Sequence, residues 1–149
     1  LGNRSILGDP RDPGMRDRIN ASVKYRESFR PFAPAVLESA APLYFDGPGD
    51  LASPFMERVF QVRQDRRDEI PAVVHADGSG RLQTVSAASN PLFHALIDRF
   101  RAKTGVPVVL NTSFNTAGEP IVCSPEDAIR TFFTSGLNAL ILGRNLVVK

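Results

Sequence analysis

The chain has 149 residues, 42% of them hydrophobic and 23% charged, with a net charge of +2 at neutral pH. That composition predicts one globular domain with a real core, burying roughly 70% of its unfolded surface. It argues against a membrane span, since no apolar run approaches the roughly 20 residues needed, and a single cysteine excludes an internal disulfide framework.

Residues 1–13 are rich in Gly, Asp and Pro and predict mostly loop. Residues 15–22 predict a short helix, with Asp12 as N-cap and Pro13 at the first helical position. Residues 32–37 alternate enough for a strand, which Pro31 and Pro34 confine to an edge or a bulge. Residues 41–50 carry Pro42, Gly47, Pro48 and Gly49 and predict a surface loop. Residues 55–62 mix apolar and polar positions as a strand does, and 64–69 form a charged, solvated connection. Residues 72–75 and 82–85 flank Asp77-Gly78-Ser79-Gly80, which predicts a hairpin. Asn90-Pro91 opens a helix whose apolar positions recur at helical spacing from Leu92 to Phe100, and Gly105 closes it. The apolar run 106–110 suits a strand buried on both faces. Residues 120–123 predict a further short strand. Ser124 then caps a helix that ends near Gly136, and 139–142 predict the last strand. The sum is an α/β (α+β) domain with a mixed sheet.

The small net charge hides an asymmetry. Residues 1–30 hold seven basic and four acidic side chains, a local +3, while the rest of the chain balances at −1. The excess centres on Lys24-Tyr25-Arg26-Glu27-Ser28-Phe29-Arg30-Pro31-Phe32. If this word is extended, Lys24, Arg26 and Arg30 share a face, an arrangement that repels itself unless an anion sits between the charges. A solvated strand edge protected by cations is an equal reading. A second cluster, Asn111-Thr112-Ser113-Phe114-Asn115, follows the buried 106–110 strand, at the end of which α/β sheets place ligands. Its alternating Asn111, Ser113 and Asn115 both donate and accept hydrogen bonds, and a self-satisfied polar turn is the simpler alternative. The third cluster is His75-Ala76-Asp77-Gly78-Ser79-Gly80-Arg81. Arg81 can grip a second anion with its planar fork, whereas His75 reads first as a structural histidine. Cys123, in an apolar stretch without an activating partner, reads as a buried structural thiol. Two histidines and one cysteine leave too few ligands for a structural zinc site, and no Walker loop or Ser-His-Asp set is legible.

These words occur in an order that resembles the carboxy-terminal domain of the NodU/CmcH carbamoyltransferases. The resemblance runs from Leu1-Gly2-Asn3-Arg4-Ser5-Ile6-Leu7 and Asp9-Pro10-Arg11, through the basic word and His75-Ala76-Asp77-Gly78, to Ser113-Phe114-Asn115 and Glu119-Pro120-Ile121-Val122-Cys123. It covers nearly the whole chain. It implies a YrdC-like fold, a twisted mixed parallel and antiparallel sheet flanked by helices, with Ser113-Phe114-Asn115 where YrdC proteins carry Ser-x-Asn. It also implies a two-stage O-carbamoyltransferase. This domain takes carbamoyl phosphate and ATP with Mg2+ and forms carbamoyl adenylate. A preceding actin/kinase-like domain, which holds iron, passes the carbamoyl group to an acceptor hydroxyl. Residues 1–22 would be the linking segment, preceded by a Gly-Pro-Arg-Ala word whose arginine is a site residue.

Position by position, the resemblance implies that Lys24 and Arg30 are catalytic and hold the carbamoyl-phosphate anion. Arg81 and Ser113 complete the phosphate and adenylate pocket, shaped by Asn111 and Asn115, with Asn3, Arg4 and Arg26 as further binding residues. No protein metal cage is expected on this domain, and the setting implied is cytoplasmic. The rival readings are a YrdC-like module that binds RNA or another polyanion without catalysis, and a purely structural domain. The slightly acidic balance of residues 31–149 argues against nucleic acid as the partner.

Overall fold

The computed structural model describes residues 2–27, 29–47 and 49–149. Leu1 of the opening motif, Ser28 of the basic word and Pro48 of the predicted 41–50 loop lie outside the described residues. The chain runs through β1 (Ser5–Gly8) and α1 (Met15–Ile19), which continues into a π-helical turn, Asn20–Lys24. Then come β2 (Ala33–Leu37), α2 (Ala41–Tyr44), β3 (Phe45–Asp46) and β4 (Arg58–Val62). The remainder is β5 (Ser79–Val85), α3 (Pro91–Thr104), β6 (Val108–Ser113), α4 (Pro125–Thr134), β7 (Ala139–Leu142) and β8 (Asn145–Val148).

Six strands form one mixed sheet in the order β1-β6-β2-β5-β4-β3. β2 and β5 are parallel and the other neighbours antiparallel. The mixed α/β architecture flanked by helices agrees with the sequence patterning. Its two longest helices begin and end where their sequences direct. Asn90 caps α3 by accepting from the Phe93 N–H, and Gly105 ends it at φ 82°. Ser124 and Asp127 form a reciprocal capping box on α4, whose Ala128, Thr131 and Phe132 turn into the core. Leu82, Leu110, Ile97 and Phe132 are among the largest fully buried side chains. No helix among the described residues is long and apolar enough to cross a membrane.

Several local expectations are corrected. Residues 5–8 are a strand rather than loop, because the open edge of β6 pairs with them from Ser5↔Ser113 to Gly8↔Leu110. β2 is a central strand with all five residues buried, not an edge. Pro34 is tolerated there by alternation. The Leu37 N–H points to the β6 side, onto the Pro107 carbonyl, so the Pro34 nitrogen faces β5, where pairing starts only at Ala35. Residues 41–46 fold into α2 and β3 with Ala41, Tyr44 and Phe45 buried, and Pro42 sits in the first turn, where its missing donor costs nothing. Asp12 does not cap α1 as the N-cap residue. Gly14 holds that position, and the Asp12 carboxylate accepts from the Gly14 N–H just outside it.

The predicted 72–85 hairpin is a turn without its first strand. The His75 N–H donates to the Ser79 carbonyl and Gly78 adopts φ 80°, but residues Pro71–Val73 form a 3-10 turn. β5 pairs instead with β4, where the buried Phe60 stands opposite Gly80. Residues 120–123 are not a strand either. One hydrogen bond, from the Val122 N–H to the Phe114 carbonyl, ties them to the turn after β6, and Cys123 is exposed rather than buried. β7 acquires a partner the sequence did not announce, β8, in a separate two-stranded sheet.

Candidate functional site

The floor of the candidate site is one face of the main sheet. Register places Asn111 of β6 opposite Ala33, and Ala35 of the same strand opposite Gln83 of β5. With only two methyl groups between them, the outer amides meet across β2, and the Asn111 Nδ2 donates to the Gln83 Oε1 at 2.7 Å. Asn111 is 1% exposed, and its Oδ1 is buried without a hydrogen-bond partner. A buried acceptor left open costs about 1–3 kcal/mol, so it marks a place where a ligand or water donates.

Above this floor lies an open cleft of about 510 Å³ at the end of β6. Asn3, Arg4, Arg26, Arg81, Asn111 and Ser113, six of the nine residues singled out from the sequence, line it. Among the described residues no acidic side chain does. Arg26 is placed by Asn20, whose Oδ1 accepts from its Nε at 2.9 Å, and its guanidinium stacks 4.8 Å over the Phe32 ring. Burial first, then Arg30 and Arg81, hold the Arg26 pKa below the ordinary arginine value. Those arginines are therefore close enough to repel, and an anion between them relieves the repulsion. Arg4 donates to the Val122 carbonyl at 3.0 Å and reaches the Cys123 Sγ at 3.3 Å, which fixes the far wall.

The three other sequence-predicted residues stand elsewhere. Arg30 lines an adjoining recess of about 300 Å³ that also takes Arg26, Arg81 and His75, and its Nε pairs with Glu27 at 3.2 Å. Lys24 lies beneath the cleft wall. Its Nζ donates to the carbonyl and Oγ of Ser113 at 2.7 and 3.1 Å, and to the carbonyl and Oδ1 of Asn115 at 3.0 and 2.7 Å. Ser113 in turn donates to the Asn115 Oδ1 at 2.6 Å, and the Asn115 Nδ2 donates to the Glu119 carbonyl. Four oxygens around one ammonium saturate it, so Lys24 braces the β6 end from within. Burial, then the Arg26 charge, push its pKa down to about 8. The single extended face expected for Lys24, Arg26 and Arg30 does not form. Lys24 closes the π-helical turn, and Tyr25 at φ 45° reverses the chain before Arg26.

Other residues of the site carried no legible signal. Asn20, 2% exposed, holds Arg26 and also donates from Nδ2 to the Arg30 carbonyl at 3.4 Å. It reaches both only because the chain doubles back. Phe55, 78% exposed, and Met56, at φ 60°, cover the cleft from the loop before β4. That loop is pinned by Ser53, whose N–H donates to the Thr84 Oγ1 and whose Oγ donates to the Leu82 carbonyl. His75, read first as structural, faces the arginine recess. Its Nδ1 lies 3.0 Å from the Ser79 Oγ, and that hydroxyl donates to the Asp77 Oδ1. The relay sets the Nδ1–H tautomer and leaves Nε2 a buried acceptor without a partner. Burial lowers the His75 pKa, with Asp77 opposing and Arg81 adding to the shift. No group of three or more metal-ligating side chains occurs among the described residues.

The arrangement can hold a multiply charged anion against fixed guanidinium and amide donors, with an aromatic wall beside it. The profile of the family described as Carbamoyltransferase C-terminus matches residues 1–149. Nodulation protein NolO of Bradyrhizobium diazoefficiens is 51% identical over 150 residues, covering 100% of this chain and 27% of that protein. Nodulation protein NolNO of Sinorhizobium fredii is 51% identical over the whole chain and 22% of its own length. Nodulation protein U of Bradyrhizobium diazoefficiens is 48% identical over 118 residues, 79% of this chain and 20% of that protein. The chain thus spans about a quarter of the length of the curated relatives it matches.

Proposed function

The chain belongs to the carbamoyltransferase C-terminus family, and from that premise we propose that its arginine cleft binds carbamoyl phosphate and ATP and forms carbamoyl adenylate. The rest of a longer protein then transfers the carbamoyl group to an acceptor hydroxyl. The observation that carries this reading is the cleft itself: Arg4, Arg26 and Arg81 around about 510 Å³ with no acidic lining residue among those described, in a chain whose net charge is only +2. Both substrates are small polyanions, and that field selects them.

The chemistry balances in two displacements. Water takes the phosphoryl group from carbamoyl phosphate, leaving carbamate and phosphate. A carbamate oxygen then attacks the α-phosphorus of ATP, the bond to the bridging oxygen breaks, and pyrophosphate leaves. Both steps build charge on phosphoryl oxygens, where preorganised guanidinium groups stabilise it without rearranging. Arg26 and Arg81 face both cavities and are assigned to the transferring phosphates, with Arg30 reaching in from the recess. The open Asn111 Oδ1 accepts from a donor such as the carbamoyl NH2, and Phe55 gives an apolar wall to the adenine. Lys24 acts from beneath, holding Ser113 and Asn115 in place. Among the described residues no carboxylate lines the cleft, so Mg2+ fits here as an ion carried by the ATP phosphates rather than by protein ligands.

The test is pyrophosphate release by the full-length protein with ATP, dependent on carbamoyl phosphate. The Arg81→Ala variant should release it about 100-fold more slowly. Release that does not depend on carbamoyl phosphate, or that survives Arg81→Ala undiminished, overturns the reading.

A further inference from the structure

A second concavity, of about 440 Å³, opens on the other side of β1. It is walled by the first turn and a half of α3 (Leu92, Phe93 and Leu96) and by Ala139 and Ile141 of β7. No charged side chain lines it among the described residues. Leu92 is 83% exposed and Ile141 69% exposed.

The β7–β8 sheet continues this surface. Register places Ile141 opposite Leu146 and Ala139 opposite Val148, so these four side chains share one face, and all four are exposed. The opposite face carries Leu140, Leu142 and Val147, which pack on the core. A solvated antiparallel sheet is apolar on one face and polar on the other, whereas this one is apolar on both, the pattern of a sheet covered from two sides. A two-stranded sheet is also marginal alone.

We propose that the groove between α3 and β7, with the outer face of the β7–β8 sheet, is the docking surface for the portion of the full-length protein that precedes this domain. The inference rests on the family reading, which places this domain at a carboxy terminus, and on relatives in which roughly three quarters of the chain lies outside the matched region. It also rests on how residues 2 and 3 are placed. Gly2 and Asn3 line the groove, and a Cβ on Gly2, at φ +79°, would meet the Phe93 ring at 2.3 Å. Any other portion of the same full-length chain is tethered to this domain, and so is present at an effective concentration on the order of millimolar. A second copy of this domain has no such advantage.

The experiment uses the full-length protein with a protease site placed immediately before residue 1. After cleavage, the two portions of the parent should co-elute in size exclusion. In the Leu92→Asp/Ile141→Asp variant they should separate, with a dissociation constant at least about 100-fold weaker by titration of the recombined portions. Should that variant unfold, judged by near-ultraviolet dichroism, the milder Leu92→Ala/Leu146→Ser pair should weaken association about tenfold with its fold intact. Three outcomes overturn the proposal: portions of the parent that separate on cleavage, variants that associate as tightly as the parent, and a carboxy-terminal portion that pairs with itself through these residues. Pyrophosphate release measured on the same uncleaved samples judges the proposed function separately. A parent that docks but releases none leaves the docking surface standing and removes the activity.

Discussion

The arginine cleft and the apolar groove share a wall, since Asn3 and Ser5 touch both, yet they are built from opposite materials. Three guanidiniums and a polar amide floor line the first, and the second holds no charged side chain among the described residues. They also differ in how they are held. The cleft is rigidified from below by polar bonds, Lys24 to Ser113 and Asn115, Asn20 to Arg26, Asn111 to Gln83. The groove is set by the packing of β1, α3 and a small separate sheet. A charged ligand needs donors fixed before it arrives, because reorganising dipoles costs the stabilisation they provide. An apolar partner needs only area and shape.

That contrast can be broken from either side. The largest effect is expected at Lys24. Lys24→Met would strand half-buried oxygens of Ser113 and Asn115, lowering stability by about 3 kcal/mol in urea unfolding and activity with it. If activity falls and stability does not, Lys24 touches substrate, and the bracing role is wrong. Arg81→Ala comes next. It should slow pyrophosphate release about 100-fold, close to 2.7 kcal/mol, while leaving the unfolding midpoint and domain association unchanged. On the groove side, Gly2→Ala should cost about 2 kcal/mol, since its methyl collides with Phe93 on a positive-φ backbone, and it should spare ATP binding measured by calorimetry. Arg30→Ala, which breaks an exposed Glu27 pair and empties part of the recess, should reduce the rate by no more than about tenfold with stability unchanged.

A separate effect is expected on pH dependence. The folded Lys24 pKa, about 8, lies below its ordinary value of 10.5. Between the two the unfolded chain binds more protons, so Lys24 adds stability as pH rises through that window and adds no slope below it. The rise should vanish in Lys24→Met, compared by urea unfolding at pH 7, 8 and 9.5.

Much of the frame was legible. The caps at Asn90 and Ser124, the stop at Gly105 and the buried run into β6 are local instructions, satisfied within a few residues of where they are written. Arg26, Arg81, Asn111 and Ser113 were found by their words, and the structure brings them into one cleft. What was not legible depends on distant partners. Residues 5–8 are a strand only because β6 offers an edge, and Pro34 fits a central strand only because its nitrogen faces the side where pairing has not begun. Asn20 and Phe55 had no neighbours in sequence to suggest a role, and Lys24 was read as sharing a face with Arg26 and Arg30 because its turn was taken as extended.

The sequence by itself determined the fold class, the boundaries of the two longest helices, the concentration of positive charge near the amino-terminal end and the family. These follow from periodicity, capping chemistry and residue identity, which act over one or two turns of chain. Only the tertiary structure decided where the charges point. A lysine and two arginines within seven residues of each other end in three settings, Lys24 beneath the wall, Arg26 in the cleft and Arg30 in the recess. The direction of a side chain is fixed by the π-helical turn, the positive φ at Tyr25 and the oxygens that meet it from β6, 89 residues further along the chain.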